Sequence, residues 1–203
     1  MAELKTILMR IIVTGVPGTG KTAIAKILGR ELGCPVIEVN RIIEERRLWN
    51  LKDEFGARIA RMAPLEKALN EAMKGHTKVI VEGHLACEFS LPADLVVVCR
   101  TDPDVLEERL GKRNYPKEKL DENVLAEMLD YCSIYSEEHY PQDKILELDT
   151  TEKSAEESAA EIISVIGGGK KPEGINWSAK LEKKLSPTLP FPTKSRPKRA
   201  QRK

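Results

Sequence analysis

The chain has 203 residues, room for one good-sized domain and an appendage but hardly for two full domains. Hydrophobic residues make up 41% and aromatics only 4%, so the core must come from Leu, Ile, Val and Ala, and no apolar run is long enough to span a membrane. The formal charge of +1 conceals a division: residues 170–203 hold 11 Lys or Arg against 2 Asp or Glu, a balance of +9 that leaves −8 on the rest. The opening "MAELKTILMRIIVTG" carries an apolar run of strand length and no small-residue cleavage site, which argues against secretion and for a cytoplasmic location. Cys34, Cys87, Cys99 and Cys132 are scattered, with no CxxC, and read as buried reduced thiols rather than a zinc site.

In chain order, "TILMRIIVTG" (6–15) predicts a strand and "KTAIAKILGRELG" (21–33) a helix ended by Gly33. "PVIEVN" (35–40) is a short strand, followed by helical segments over 41–49 and 55–74. "KVIVEGH" (78–84) and "ADLVVVCR" (93–100) are continuous apolar strands. "DPDVLEERLGKR" (102–113) is a helix with Asp102 as N-cap and Pro103 in its first turn. A second helical pattern over 118–140 places Leu120, Val124, Leu125, Met128 and Leu129 on one face. "KILELDT" (144–150) is a last strand, and "SAEESAAEIISVIGG" (154–168) an amphipathic helix stopped by glycines. Uninterrupted Val and Ile strands bounded by helices imply an α/β fold of three layers, a parallel sheet with helices on both faces. That domain occupies 1–168. From Gly167 the apolar rhythm collapses, and 169–203 reads as a basic, mostly disordered tail with Ile175, Trp177 and Leu181 as its anchor points.

"GVPGTGKT" (15–22) satisfies G-x-x-x-x-G-K-[ST] between an apolar strand and a helix. Glycines let such a loop wrap so that backbone N–H groups converge on phosphate, and the helix adds its positive end. Gly15, Pro17, Gly18, Thr19, Gly20 and Ala23 frame the grip; Lys21 can reach the β and γ phosphates, and Thr22 offers its hydroxyl to magnesium. The cofactors implied are ATP and Mg2+. "KVIVEGH" ends in Glu82 and His84, two apart on a strand and so able to face one site. Glu82 there could hold magnesium or orient a nucleophile, and a merely solvated strand end is the plainer alternative. Arg109 and Arg113 lie where a helix runs into a polar loop, and arginine forks match the charge of a transferring phosphoryl, though charged helix ends are often only solvated faces. "NLKD" (50–53) is out of order for a guanine-reading N-K-x-D, which sets the switch GTPases aside and leaves the small kinases.

"TGVPGTGKT", "VIVEGH" and "VVVCRTDPDVLEERLGKRNYPKEKLDEN", in that order, resemble the adenylate kinase isoenzyme 6 family, also called coilin-interacting nuclear ATPase, and particularly its archaeal branch, over about residues 7–166. "RNYPKEKLDEN" looks like that family's R-G-Y-x-x-x-K-L-x-x-N lid, which falls at about 112–122. The resemblance implies a nucleoside-monophosphate-kinase-type P-loop fold, phosphoryl transfer from ATP to AMP and an ATPase activity besides. It also implies a part in small ribosomal subunit maturation and rRNA processing, through contact with a small-subunit ribosomal protein. Carried over by residue, Gly18, Gly20, Lys21, Thr22 and Ala23 would hold the ATP phosphates, and Arg113 would be the lid arginine. Glu82 and His84 would take the strand-end role, with Glu82 where some relatives have Asp, so that Lys21, Glu82, His84 and Arg113 form the catalytic set and Thr22 with Glu82 the metal site. The acceptor-binding region falls at about 38–61, where relatives show V-G-D-L and this chain has "VNRIIEERR". Arg41, Arg46, Arg47, Arg58 and Arg61 are all candidates for the acceptor's phosphate, the sequence does not rank them, and surface charge on helices is the plainer reading of most. The basic tail is either a solubilising end or an electrostatic attachment to pre-ribosomal RNA, with Trp177 and Phe191 able to stack on bases. Rival readings are a ribosome-assembly ATPase with little kinase activity, and another small-metabolite P-loop kinase.

Overall fold

The strands Lys78–Glu82, after its exposed first residue, and Leu95–Arg100 are buried on both faces, as uninterrupted runs of Val and Ile require, and the strand Met9–Thr14 lies between them. The computed structural model describes residues 9–52, 56, 58–113 and 115–186. In chain order the elements are β1 (Met9–Thr14), α1 (Lys21–Leu32), β2 (Val36–Glu38), α2 (Val39–Glu45), β3 (Trp49–Lys52), β4 (Arg58–Ala60), α3 (Met62–Met73) and β5 (Lys78–Glu82). After a 3-10 turn at His84–Glu88 come β6 (Leu95–Arg100), α4 (Pro103–Gly111), α5 (Lys117–Met128), α6 (Tyr131–His139), β7 (Ile145–Asp149), α7 (Ala155–Ile166) and α8 (Ser178–Leu185).

Five strands pair in parallel in the order β2-β5-β1-β6-β7. Alternate residues feed two cores. Ile11 and Val13 of β1, Ile80 of β5 and Val97 of β6 pack with Ile24 and Leu28 of α1 and Ile162 of α7. Ile12, Val79, Val81, Val96 and Val98 pack with Leu65 and Leu69 of α3, Leu106 of α4, Val124 of α5 and Cys132 of α6. The three-layer α/β fold is as expected. The order changes direction at β1, and a crevice opens beyond the carboxyl ends of the strands there, where such sheets bind ligands. Asp102 caps α4 by accepting from the Asp104 amide at 2.9 Å, and Ser154 with Glu157 forms a reciprocal capping box on α7. All four cysteines are buried free thiols.

Four expectations need correction. The helix expected over 41–49 is α2, which starts earlier and stops at Glu45; Arg47 then turns at φ 50 and Trp49 begins a strand. The start of the expected 55–74 helix is instead β4, paired antiparallel with β3; both strands are short and largely exposed, so little apolar alternation marks them. The long 118–140 helix is broken by Asp130, whose left-handed backbone (φ 54) comes with a carboxylate bound to Arg100, and no glycine or proline announces the break. On its expected apolar face Val124 and Met128 are buried, but Leu125 and Leu129 are exposed.

The fourth concerns the tail. Residues 167–186 are built into the fold, while 187–203, Phe191 included, lie outside the described residues. The segment passes along β7, the edge strand: Lys171 Nζ donates to the Asp143 carbonyl and, at 2.9 Å, to that of Ile145, and the Ile175 amide donates to Glu147 Oε2 at 2.8 Å. Trp177 Nε1 then donates to Glu127 Oε1 at 3.0 Å, and Leu181 of α8 packs against the core. The partner on the sheet side is a buried polar cluster. Arg100, 1% exposed, donates to Glu127, Glu147, Asp130 and Ser133, and although burial works against its charge, these carboxylates hold it well above its ordinary pKa. Ile175, Trp177 and Leu181 are anchor points as expected, and the order of the segment around them follows from the first two completing that cluster, which composition alone does not reveal.

Candidate active site

β1 delivers the chain into the loop at Gly15 and α1 takes it up at Lys21. At two positions of this loop close contact excludes any side chain. A Cβ on Gly15 (φ 140) would lie 2.5 Å from the carbonyl oxygen of Cys99, and one on Gly18 (φ 99) 2.6 Å from Leu106. Thr19 is buried and bonds back to the Val16 carbonyl at 3.0 Å, while Pro17 is half-buried and Ala23 exposed. Gly20 caps α1 without a side-chain hydrogen bond and its carbonyl takes the Ala23 amide at 3.0 Å, which leaves the amides of Lys21 and Thr22 for a ligand.

Lys21 Nζ rests 3.4 Å from the Val16 carbonyl, and burial lowers its pKa while nearby Glu82 partly restores it. Thr22 donates its hydroxyl to Glu82 Oε2 at 3.0 Å, an oxygen pair beside the phosphate loop. Burial pushes the Glu82 carboxyl up, opposed by Thr22 and Lys21. Glu38, at the end of β2, stands in register with Glu82 and forms an ion pair with Lys26 at 3.5 Å. Strand-end acidity could have flagged it from "PVIEVN", since β2 ends at the same edge of the sheet.

Strand alternation does not bring His84 to this site. β5 ends at Glu82, Gly83 turns against Val39, where a Cβ would meet that side chain at 2.6 Å, and His84 opens the 3-10 turn. The Thr14 hydroxyl holds the His84 carbonyl at 3.1 Å. Both Glu82 and His84 feel the charge of Lys21; burial first, then Lys21 and Lys119, lower the His84 pKa to about 4, so the ring is neutral at pH 7.

Arg113, exposed at the end of α4, lines a cavity of about 370 Å³ with Gly18, Gly20, Lys21, Thr22 and Lys26. A second cavity of about 300 Å³ continues past Gly18 and Gly20 to Arg109, Thr150, Lys153 and Ser158. Arg109 is occupied structurally: its Nη2 donates to the carbonyls of Thr150 at 2.9 Å and Thr151 at 2.8 Å, fixing the loop after β7 as a wall of this cavity. Thr150 and Lys153 were missed because nothing local in "LDTTEK" marks them. The arginines of the 38–61 region line neither cavity. Arg41 pairs with Glu45 at 2.6 Å, Arg46 with Glu71 at 2.8 Å, and Arg58 with Glu44 while lying over the Trp49 ring; Arg47 is exposed.

Residues 11–130 match a family described as an AAA domain. A protein of Methanocaldococcus jannaschii, provisionally named adenylate kinase, is 36% identical over 174 residues, covering 85% of this chain and 94% of its own. One of Pyrococcus abyssi with the same name is 39% identical over 175 residues, covering 84% and 92%. The chain belongs to this adenylate-kinase-like family. Among solved structures, a shikimate kinase from Bacteroides thetaiotaomicron superposes with a TM-score of 0.57 at 23% identity, covering 78% of this chain and 98% of that one. A gluconokinase from Sinorhizobium meliloti 1021 gives 0.55 at 18%, covering 89% and 99%. At such identities these show the fold alone, that of the P-loop kinases, and with the family they make the chain a kinase-class phosphotransferase. No helix among the described residues is long and apolar enough to cross a membrane.

Proposed function

We propose that the chain is a nucleoside monophosphate kinase that transfers the γ-phosphoryl of ATP to AMP, giving two ADP, and that hydrolyses ATP besides. The observation that carries this reading is one cavity lined by P-loop glycines, Lys21, Thr22 and Arg113, with Thr22 bonded to Glu82 beside it. The names of its relatives support AMP as acceptor.

Phosphoryl transfer spreads negative charge over three equatorial oxygens, so the protein's work is positioning and charge stabilisation. The loop amides and the end of α1 hold the phosphates, and Lys21, freed from the Val16 carbonyl, follows the charge as it builds. Thr22 and Glu82 are hard oxygen donors, the kind of one or two protein ligands that Mg2+ takes while phosphates and water fill its other positions. Bound there, the ion would neutralise phosphate charge. Arg113, on the loop after α4, closes over the donor and excludes water. In the hydrolysis, neutral His84 can accept a hydrogen bond from the attacking water without adding positive charge beside Lys21. The acceptor's phosphate would meet Arg41, Arg46 and Arg47.

The commitment of Arg41 and Arg46 to local carboxylates favours a second reading, an ATPase with little kinase activity serving small-subunit assembly through a ribosomal protein and pre-ribosomal RNA. One experiment separates them. ATP consumption is followed with and without AMP, with ADP and inorganic phosphate measured separately, for wild type and Lys21→Ala. AMP-dependent ADP output without matching phosphate, lost in Lys21→Ala, is the expected result; phosphate release indifferent to AMP would replace the kinase with the ATPase.

A further inference from the structure

In the segment that follows α7, the side chains of Trp177 and Lys180 make their polar contacts with groups behind the nucleotide cavity. Glu127 Oε1, which accepts from Trp177 Nε1, also accepts from Arg100 Nε at 2.7 Å and from the Thr101 amide at 3.2 Å. The Thr101 hydroxyl meets that of Thr150 at 2.8 Å, and the Thr150 hydroxyl lies 2.9 Å from the Thr19 carbonyl within the phosphate loop. Glu127, Thr101 and Thr150 are each no more than 3% exposed, so the contacts from the indole to the loop run through packed interior. Trp177 also backs the loop after β7 from outside, sharing a shallow cavity with Thr151 and Lys153, while Lys153 and Thr150 face the nucleotide cavity from within. Three residues on, Lys180 Nζ ties to Asp102 at 2.6 Å and Asp104 at 2.5 Å, the capped end of the helix that leads to Arg113.

A buried carboxylate oxygen that loses one of three donors must redistribute the other two, and in a close-packed cluster that shift reaches its neighbours. Here the neighbours are the amide of Thr101 and, through the paired threonine hydroxyls, the loop carbonyl at Thr19. We infer that Trp177 is a positioning residue: its seating on Glu127, secured by Lys180, sets the shape of the nucleotide cavity and tightens ATP binding. This rests on the reading of that cavity as an ATP site. Coupling of this kind is reciprocal, so ATP must hold the segment down by the same factor by which the segment tightens ATP.

The test is calorimetric titration of ATP with Mg2+ into wild type and Trp177→Phe, beside steady-state kinetics and thermal melting. Trp177→Phe keeps one aromatic ring and removes the pyrrole ring with its N–H. The expected result is a rise of about fivefold in the ATP dissociation constant and KM, with kcat little changed. In a Trp49→Phe chain, where Trp177 is the remaining tryptophan, its emission changes saturably with ATP. A Trp177→Phe protein that melts earlier yet binds ATP as tightly as the wild type overturns the inference and leaves the indole a structural plug. Should that variant not fold, Lys180→Ala decides in its place: several-fold weaker ATP binding upholds the coupling, and unchanged binding ends it. A wild type that does not bind ATP sinks the nucleotide reading together with this one, whereas a wild type that binds ATP beside an unaffected variant sinks this one alone.

Discussion

Lys21, Thr22 and Glu82 stand at the ends of a buried strand and helix, held by groups whose own positions the core dictates, whereas Arg41 and Arg46 pair with exposed carboxylates and Arg58 with a carboxylate and the Trp49 ring on the surface. Under the proposed reading, the difference separates a site shaped before any ligand arrives from one that a ligand must organise. Fixed groups lose little entropy on binding and suit the charge-stabilising half of a phosphoryl transfer. Long exposed side chains in local ion pairs must exchange one partner for another, so recognition on that side costs more and selects less.

Four measurements can break or sharpen that contrast. Removing the foundation of the fixed side should hurt most: Arg100→Leu strands Glu127 and Glu147 without their cation and should lower unfolding free energy by about 3–5 kcal/mol in a urea titration. Lys21→Ala should cost about 10²–10³ in kcat. Its melting temperature should hold or rise, because burial already disfavours the Lys21 charge. His84 gives a pH signature. Folding depresses its pKa from 6.5 to about 4, so the unfolded chain takes up the proton first as pH falls. Its contribution is full above about pH 6.5 and is lost on the way down to about 4, on the order of 3 kcal/mol. Urea midpoints at pH 7.5 and 4.5 should differ less in His84→Gln than in the wild type. The smallest effect belongs to the other side: Arg41→Ala and Arg46→Ala should leave the melting temperature and the ATP KM in place and raise the AMP KM a few-fold. An unchanged AMP KM would remove both from the acceptor site.

The same contrast decides what could be read in advance. The parallel sheet, the phosphate loop and the Asp102 cap were legible because each is written in contiguous residues whose spacing has one physical use. Arg109 was legible as a cation near the site, but its task of fixing the Thr150 and Thr151 carbonyls depends on a strand 40 residues away in the chain. The β3–β4 hairpin was hidden because exposed strands have no apolar face to alternate. Asp130 broke a helix, and residues 167–186 folded, for one reason: both complete the cluster around Arg100, a polar interior that hydropathy patterns are blind to.

The run of residues 171–177 beside β7 has a consequence for handling the protein. An outermost strand rich in Ile and Leu is a template on which another molecule can extend the sheet. Here Lys171 occupies the outward carbonyl of Ile145 and the Ile175 amide takes the Glu147 carboxylate. A chain cut after residue 168 should therefore self-associate through that bare border at micromolar concentration, and light scattering of the truncated protein beside the full chain would reveal the tail's nearer half as a guard against aggregation.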